Sequence, residues 1–99
     1  MAQFSVYGNP DGFGYLLNVQ SDLINHFATR VVVPLFPLAE ISEFARVLNP
    51  VFEIEGQHVV MMTQGLAAVP GHLLKQPVTS LADKRLEIVA ALDLLFQGF

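Results

Sequence analysis

Only one stretch of this chain carries a sustained, strong helical spacing, and it runs to the C-terminal end. Ser80 opens it. Its hydroxyl is placed to accept from the amide of Asp83, and Asp83 supplies a carboxylate in the first turn, close to a capping box. Leu81, Ile88, Leu92 and Leu95 then share one face, which Leu86, Val89 and Ala90 widen. From Ile88 to Phe96 the only polar residue is Asp93, and Gly98 is a helix-ending residue. A helix that is apolar nearly all round must be sunk in a core or covered by a partner. The rest of the chain therefore has to supply something for it to lie on.

What precedes the helix reads as short strands separated by turns. Gln3 to Tyr7 alternates, with Phe4 and Val6 on one side and Ser5 and Tyr7 on the other. Asn9-Pro10-Asp11-Gly12 has turn chemistry, and Tyr15 to Gln20 is the return strand of a hairpin. Arg30 to Leu35 is β-branched and continuous, as a buried strand requires, with Pro34 predicting a strand end, edge or bulge. Glu40 to Leu48 has weak helical spacing, closed by Asn49-Pro50. Val51 to Ile54 and His58 to Met62 flank Glu55-Gly56-Gln57 and predict a second hairpin. One of Met61 and Met62 belongs to the core and the other to the opposite face. Gly65 to Leu74 fits neither period cleanly, and Pro77 ends the irregular region.

Composition decides how such a chain can bury itself. Of 99 residues, 53% are hydrophobic and 14% charged. A single domain of this length buries only about two-thirds of its unfolded surface. The apolar excess predicts an interface, and a homodimer is its simplest form. The formal charge of −4, five basic against nine acidic residues, argues against gripping nucleic acid unaided. There is no cysteine, which removes disulfides, thiolate metal sites and cysteine nucleophiles and fits a cytoplasmic protein. No signal peptide is readable at the N-terminus, and no apolar run approaches the roughly 20 residues of a membrane span.

Catalytic and metal-binding patterns are weak throughout. His26, His58 and His72 have no partner at ligand spacing on a helix, so no metal is expected. No serine lies in a nucleophile elbow, and Ser21-Asp22 reads as a turn. Gly8, Gly12 and Gly14 are too interrupted for a phosphate loop. Glu53 and Glu55 share a side of one strand, a spacing common on solvated faces. The segment that stands out is Phe96-Gln97-Gly98-Phe99, where an aromatic side chain sits beside the terminal carboxylate. It reads either as a lid folded back on the core or as an aromatic anchor for a partner.

Taken in order, the residues resemble the CcdB family of toxins from toxin–antitoxin modules. The resemblance runs through Gln3-Phe4-Ser5-Val6-Tyr7, Asn18-Val19-Gln20-Ser21-Asp22-Leu23-Ile24 and Thr29-Arg30-Val31-Val32-Val33-Pro34-Leu35. It continues through Leu48-Asn49-Pro50, Met61-Met62-Thr63 and Ala68-Val69-Pro70 to the helix and Gly98-Phe99. It implies a mainly β (β+α) single domain over residues 1–99, an SH3-like small barrel. That barrel has a central antiparallel sheet, a minor sheet and one C-terminal α-helix, in a homodimer with the helices near the two-fold axis. It implies a protein without cofactor that binds the A subunit of DNA gyrase and traps the cleaved-DNA complex, with no catalysis of its own. The gyrase contacts it implies are Leu23, Ile24, Asp93, Phe96, Gln97, Gly98 and Phe99. It further implies neutralisation by the disordered C-terminal segment of a CcdA-like antitoxin, and contact with operator DNA only through that complex. The best-known members end in Trp-Gly-Ile, whereas this chain ends in Gln97-Gly98-Phe99, and its first hairpin lacks the basic residues relatives often carry. Two alternatives remain at this point. One is a ribonuclease toxin on the related barrel, using Arg30, His58 and His72; the other is a relative that binds antitoxin without poisoning gyrase.

Overall fold

Residues 2–98, which the computed structural model describes, form seven strands and one α-helix. The strands are β1 (Ser5–Gly8), β2 (Tyr15–Asn18), β3 (Thr29–Pro37), β4 (Val51–Ile54), β5 (Gln57–Met61), β6 (Ala67–Pro70) and β7 (Pro77–Ser80). The helix, α1, spans Arg85–Gln97. The order across the sheet is β4-β5-β3-β2-β1-β7, with β6 also on β3, and every pairing is antiparallel. The sheet curls into a half-barrel with the helix at its C-terminal end, and its main and minor parts are continuous through β3.

β3 organises the rest because it is long enough to serve three partners. One edge pairs with β2, from Leu35 opposite Tyr15 to Val32 opposite Asn18. The other edge is shared: Thr29 to Val32 pair with β6, and Leu35 to Pro37 pair with β5. Pro34 falls in the gap between those two partners. The sequence places a proline at a strand end, edge or bulge; here it lies mid-strand. A residue's N–H and C=O leave a strand on the same side. The Pro34 carbonyl accepts from Met62 N–H at 2.9 Å, so its missing N–H faces the gap and no ladder bond is lost.

Alternation along the strands separates two apolar clusters. Phe4, Val6, Leu17, Val33, Leu35 and Met61 belong to the larger, which Ile88 and Ala91 of α1 cover. Tyr7, Leu16, Val32 and Leu74 form the smaller cluster on the other face. Phe4 holds its ring in the larger cluster at φ +71°. That conformation is unusual for a bulky residue. Its N–H bonds the Asn18 carbonyl and its carbonyl receives Leu81 N–H.

Three expected local features differ. Glu40 to Leu48 is not helical: a 3-10 turn covers Leu38–Glu40 and irregular turns follow. Buried Asn49 explains the end of that segment. Its Oδ1 accepts from Ala45 N–H at 3.0 Å, and its amide reaches the Met61 carbonyl and Gln64. Local side-chain bonding replaces the helical ladder there. Ser80 does not cap a helix: its hydroxyl accepts from Ala82 N–H rather than from Asp83, and the 3-10 turn at Ala82–Lys84 that follows has Leu81 at its N-cap with no side-chain cap bond. Leu86, expected on the apolar face, is 83% exposed, because α1 begins one turn late and buries only its Ile88/Ala91 side. The β4–β5 hairpin forms as expected, with a two-residue turn in which Glu55 and Gly56 both have positive φ.

Candidate interaction site

In the last turns of α1, Leu92 packs partly against the core, and Leu94 and Leu95 are half-buried. That leaves Asp93, Phe96 and Gln97 pointing outward, with Phe96 69% exposed. Gly98 ends the helix in the left-handed region (φ +79°), and its N–H bonds the Leu94 carbonyl at 3.0 Å. The tail is therefore set at a fixed angle up to Gly98; Phe99 lies outside the described residues.

Leu23 and Ile24 sit on a separate element, the 3-10 turn Asp22–Ile24 between β2 and β3. Ser21 starts the turn by accepting from Leu23 N–H at 3.1 Å, and Asp22 accepts from Gln3 N–H at 2.8 Å. Buried Gln20 ties the turn to the sheet: its amide donates to the Ile24 carbonyl at 2.8 Å and its Oε1 accepts from Val31 N–H at 3.0 Å. Arg30 completes the clamp. Its guanidinium is buried and donates to the backbone carbonyls of Asn25, Phe27 and Thr29. With so many backbone groups fixed, the turn can hold apolar side chains in water. Leu23 is 89% exposed, and Ile24 and Phe27 are also exposed. Phe27 stacks obliquely on His26, ring centroids 4.4 Å apart.

The sequence-predicted residues thus fall into two groups on two elements, Leu23 and Ile24 on the turn and Asp93, Phe96, Gln97 and Gly98 on the helix end. No hydrogen bond joins the groups among the described residues. Sequence reasoning missed Phe27 and the role of Arg30. The signal for Phe27 was present as Leu23-Ile24 followed three residues later by an aromatic in a loop.

The pieces of a nuclease do not converge. Arg30 is committed to carbonyls, and His58 faces Glu53 beside the β4–β5 turn, at the other end of β3 from Arg30. His72 lies on the turn Gly71–Leu73. Among the described residues, no three His, Cys, Asp or Glu side chains gather as a metal site. Among the described residues, no helix is long and apolar enough to cross a membrane. What the geometry offers is recognition: exposed apolar side chains on a rigid frame. A sequence model of the family described as CcdB protein matches residues 3–98.

Proposed function

The chain belongs to the CcdB family, and from that premise we propose that it is a type II toxin that binds the gyrase A subunit and traps the gyrase–cleaved DNA complex. It acts in the cytoplasm by binding alone. Asp93, Phe96, Gln97, Gly98 and Phe99 form the main contact, with Leu23 and Ile24 beside them. The protein works as a homodimer, a CcdA-like antitoxin neutralises it through a disordered C-terminal segment, and the pair represses its own operon.

The observation that carries this reading is the exposure of Leu23 and Phe96, 89% and 69%, on backbone that hydrogen bonds hold in place. Apolar side chains kept in water by a rigid frame are characteristic of interaction surfaces. A homodimer brings two copies of the surface to one target and covers part of the remaining apolar area. The charge fits as well. With Arg30 buried, the exposed cations are Arg46, Lys75, Lys84 and Arg85, too few for a tight grip on DNA without the antitoxin.

The test is gyrase supercoiling and cleavage with purified protein, beside a version lacking residues 97–99. Full-length protein inhibits supercoiling and accumulates cleaved DNA, and the truncated one does neither. Uninhibited supercoiling with no trapped cleavage product refutes gyrase as the target. Gln97 makes the contact smaller than a Trp does, so restoring Gln97→Trp strengthens inhibition, by about 1–3 kcal/mol if the ring stacks at the centre of the interface.

A further inference from the structure

The loop between β2 and β3 carries a third exposed apolar side chain beside Leu23 and Ile24. Phe27 is 55% exposed, and its backbone is held on both sides. Its N–H bonds the Ile24 carbonyl at 3.5 Å, and its own carbonyl accepts from the buried Arg30 guanidinium. The Ile24 N–H in turn bonds the Ser21 carbonyl at 3.1 Å. Residues three apart in bonding of this type come round to one side, which groups Phe27 with Ile24. The His26 ring lies against Phe27, 4.4 Å between centroids and 31° between planes, and limits how far the phenyl can swing.

We propose that Phe27 is a gyrase-binding residue: the surface of the A subunit that lies on Leu23 and Ile24 continues over the Phe27 ring, which His26 holds in place. The inference rests on the gyrase reading and extends its contact by one aromatic group. Each of the two elements of the site then presents one exposed ring, Phe27 on the turn and Phe96 on the helix end. Aromatic side chains carry a large share of the binding energy at interfaces, most of all where they need no ordering on binding. Phe27 meets that condition, since its backbone and one neighbour of its ring are already fixed.

The make-up of the patch separates it from a face between two copies of the chain. Asp22, Asn25 and His26, all exposed, interleave with Leu23, Ile24 and Phe27. Permanent homodimer faces resemble a core cut in half, whereas apolar groups ringed by polar ones suit a partner met from solution. Gln20, Ser21 and Arg30 satisfy the backbone of the loop from within, so the patch holds its shape without a partner.

Supercoiling inhibition by the unaltered protein, Phe27→Ala, Phe27→Tyr and His26→Ala, each also followed by thermal melting and sedimentation, tests the proposal. Phe27→Ala raises the concentration for half-inhibition about tenfold, and Phe27→Tyr recovers most of that loss because it keeps the ring. His26→Ala raises it about two- to threefold, since the Phe27 ring is present but less confined. Melting and sedimentation stay those of the unaltered protein, because Phe27 and His26 lie outside both apolar clusters. If the unaltered protein inhibits and Phe27→Ala inhibits equally well, the proposal fails while the gyrase reading stands. If the unaltered protein does not inhibit, both fail. A shift of Phe27→Ala toward monomer assigns the ring to a second copy of the chain and overturns the proposal too.

Discussion

On the helix side of the sheet, thirteen buried residues pack into one cluster, closed by Ile88 and Ala91 from above. On the other side the cluster has four, closed by Leu74 from a segment without regular structure. Both faces come from the same strands. Leu17 and Leu16 are neighbours in β2 and belong to opposite clusters. The contrast teaches where each job is done. The saturated face fixes the fold, and the thin one is closed only by an irregular segment. The surface proposed to meet gyrase is on neither face; it lies at the turn and helix end beyond them.

The contrast is broken most directly by cavities. Leu17→Ala opens one at a fully buried site whose neighbours come from several strands and cannot collapse; it costs about 4 kcal/mol. Leu74→Ala is the matching deletion on the thin face. Its irregular segment can settle inward, so the cost is about 2 kcal/mol. Urea titration of both variants gives the two values. Equal costs mean the faces are equally well packed.

Arg30 sharpens the comparison by separating frame from surface. Arg30→Met removes a buried charge and leaves the carbonyls of Asn25, Phe27 and Thr29 without donors. The loss is about 1–2 kcal/mol. Its signature is local: amide exchange rises between residues 21 and 29 while β5 stays protected. Gyrase inhibition falls with the loosening of Leu23 and Ile24. Uniform loss of protection across the sheet removes the positioning role. Leu23→Ala and Phe96→Ala come next in size. Each changes monomer stability by under about 0.5 kcal/mol, because neither side chain is buried, yet each weakens gyrase inhibition.

The main face was legible in the sequence and the thin face was not. The alternation of Phe4 and Val6 against Ser5 and Tyr7 sorted β1 correctly between faces, and the β-branched run from Val31 announced β3. Gly98 marked the helix end. Long-range pairing was not readable. Pro34 is tolerated mid-strand only because two different strands share one edge of β3, a fact of topology. Asn49 breaks the expected helix through bonds to Met61 and Gln64, which are distant in sequence. The exposure of Phe27 rests on Arg30 reaching back across the loop, and a guanidinium spent on carbonyls has no sequence pattern. The family resemblance supplied the remaining site residues, and Phe99 among them lies outside the described residues.

Tyr15 supplies the smallest effect. On the helix side, burial and the hydrogen bond and charge of Glu55 raise the Tyr15 pKa above its ordinary value. The folded protein therefore holds the phenolic proton at a pH where the unfolded chain has begun to lose it. With fewer protons bound in the unfolded state, stability falls as pH rises. This contribution is complete below about pH 10 and is lost as pH climbs through the raised folded value. Stability followed by urea titration from neutral to strongly alkaline pH declines in that window, and Tyr15→Phe flattens the decline. Glu55→Gln flattens it in part, because burial still acts. An unchanged slope in Tyr15→Phe means that the alkaline loss belongs to other groups and that the Tyr15–Glu55 bond does not hold the β2 and β4–β5 rims together.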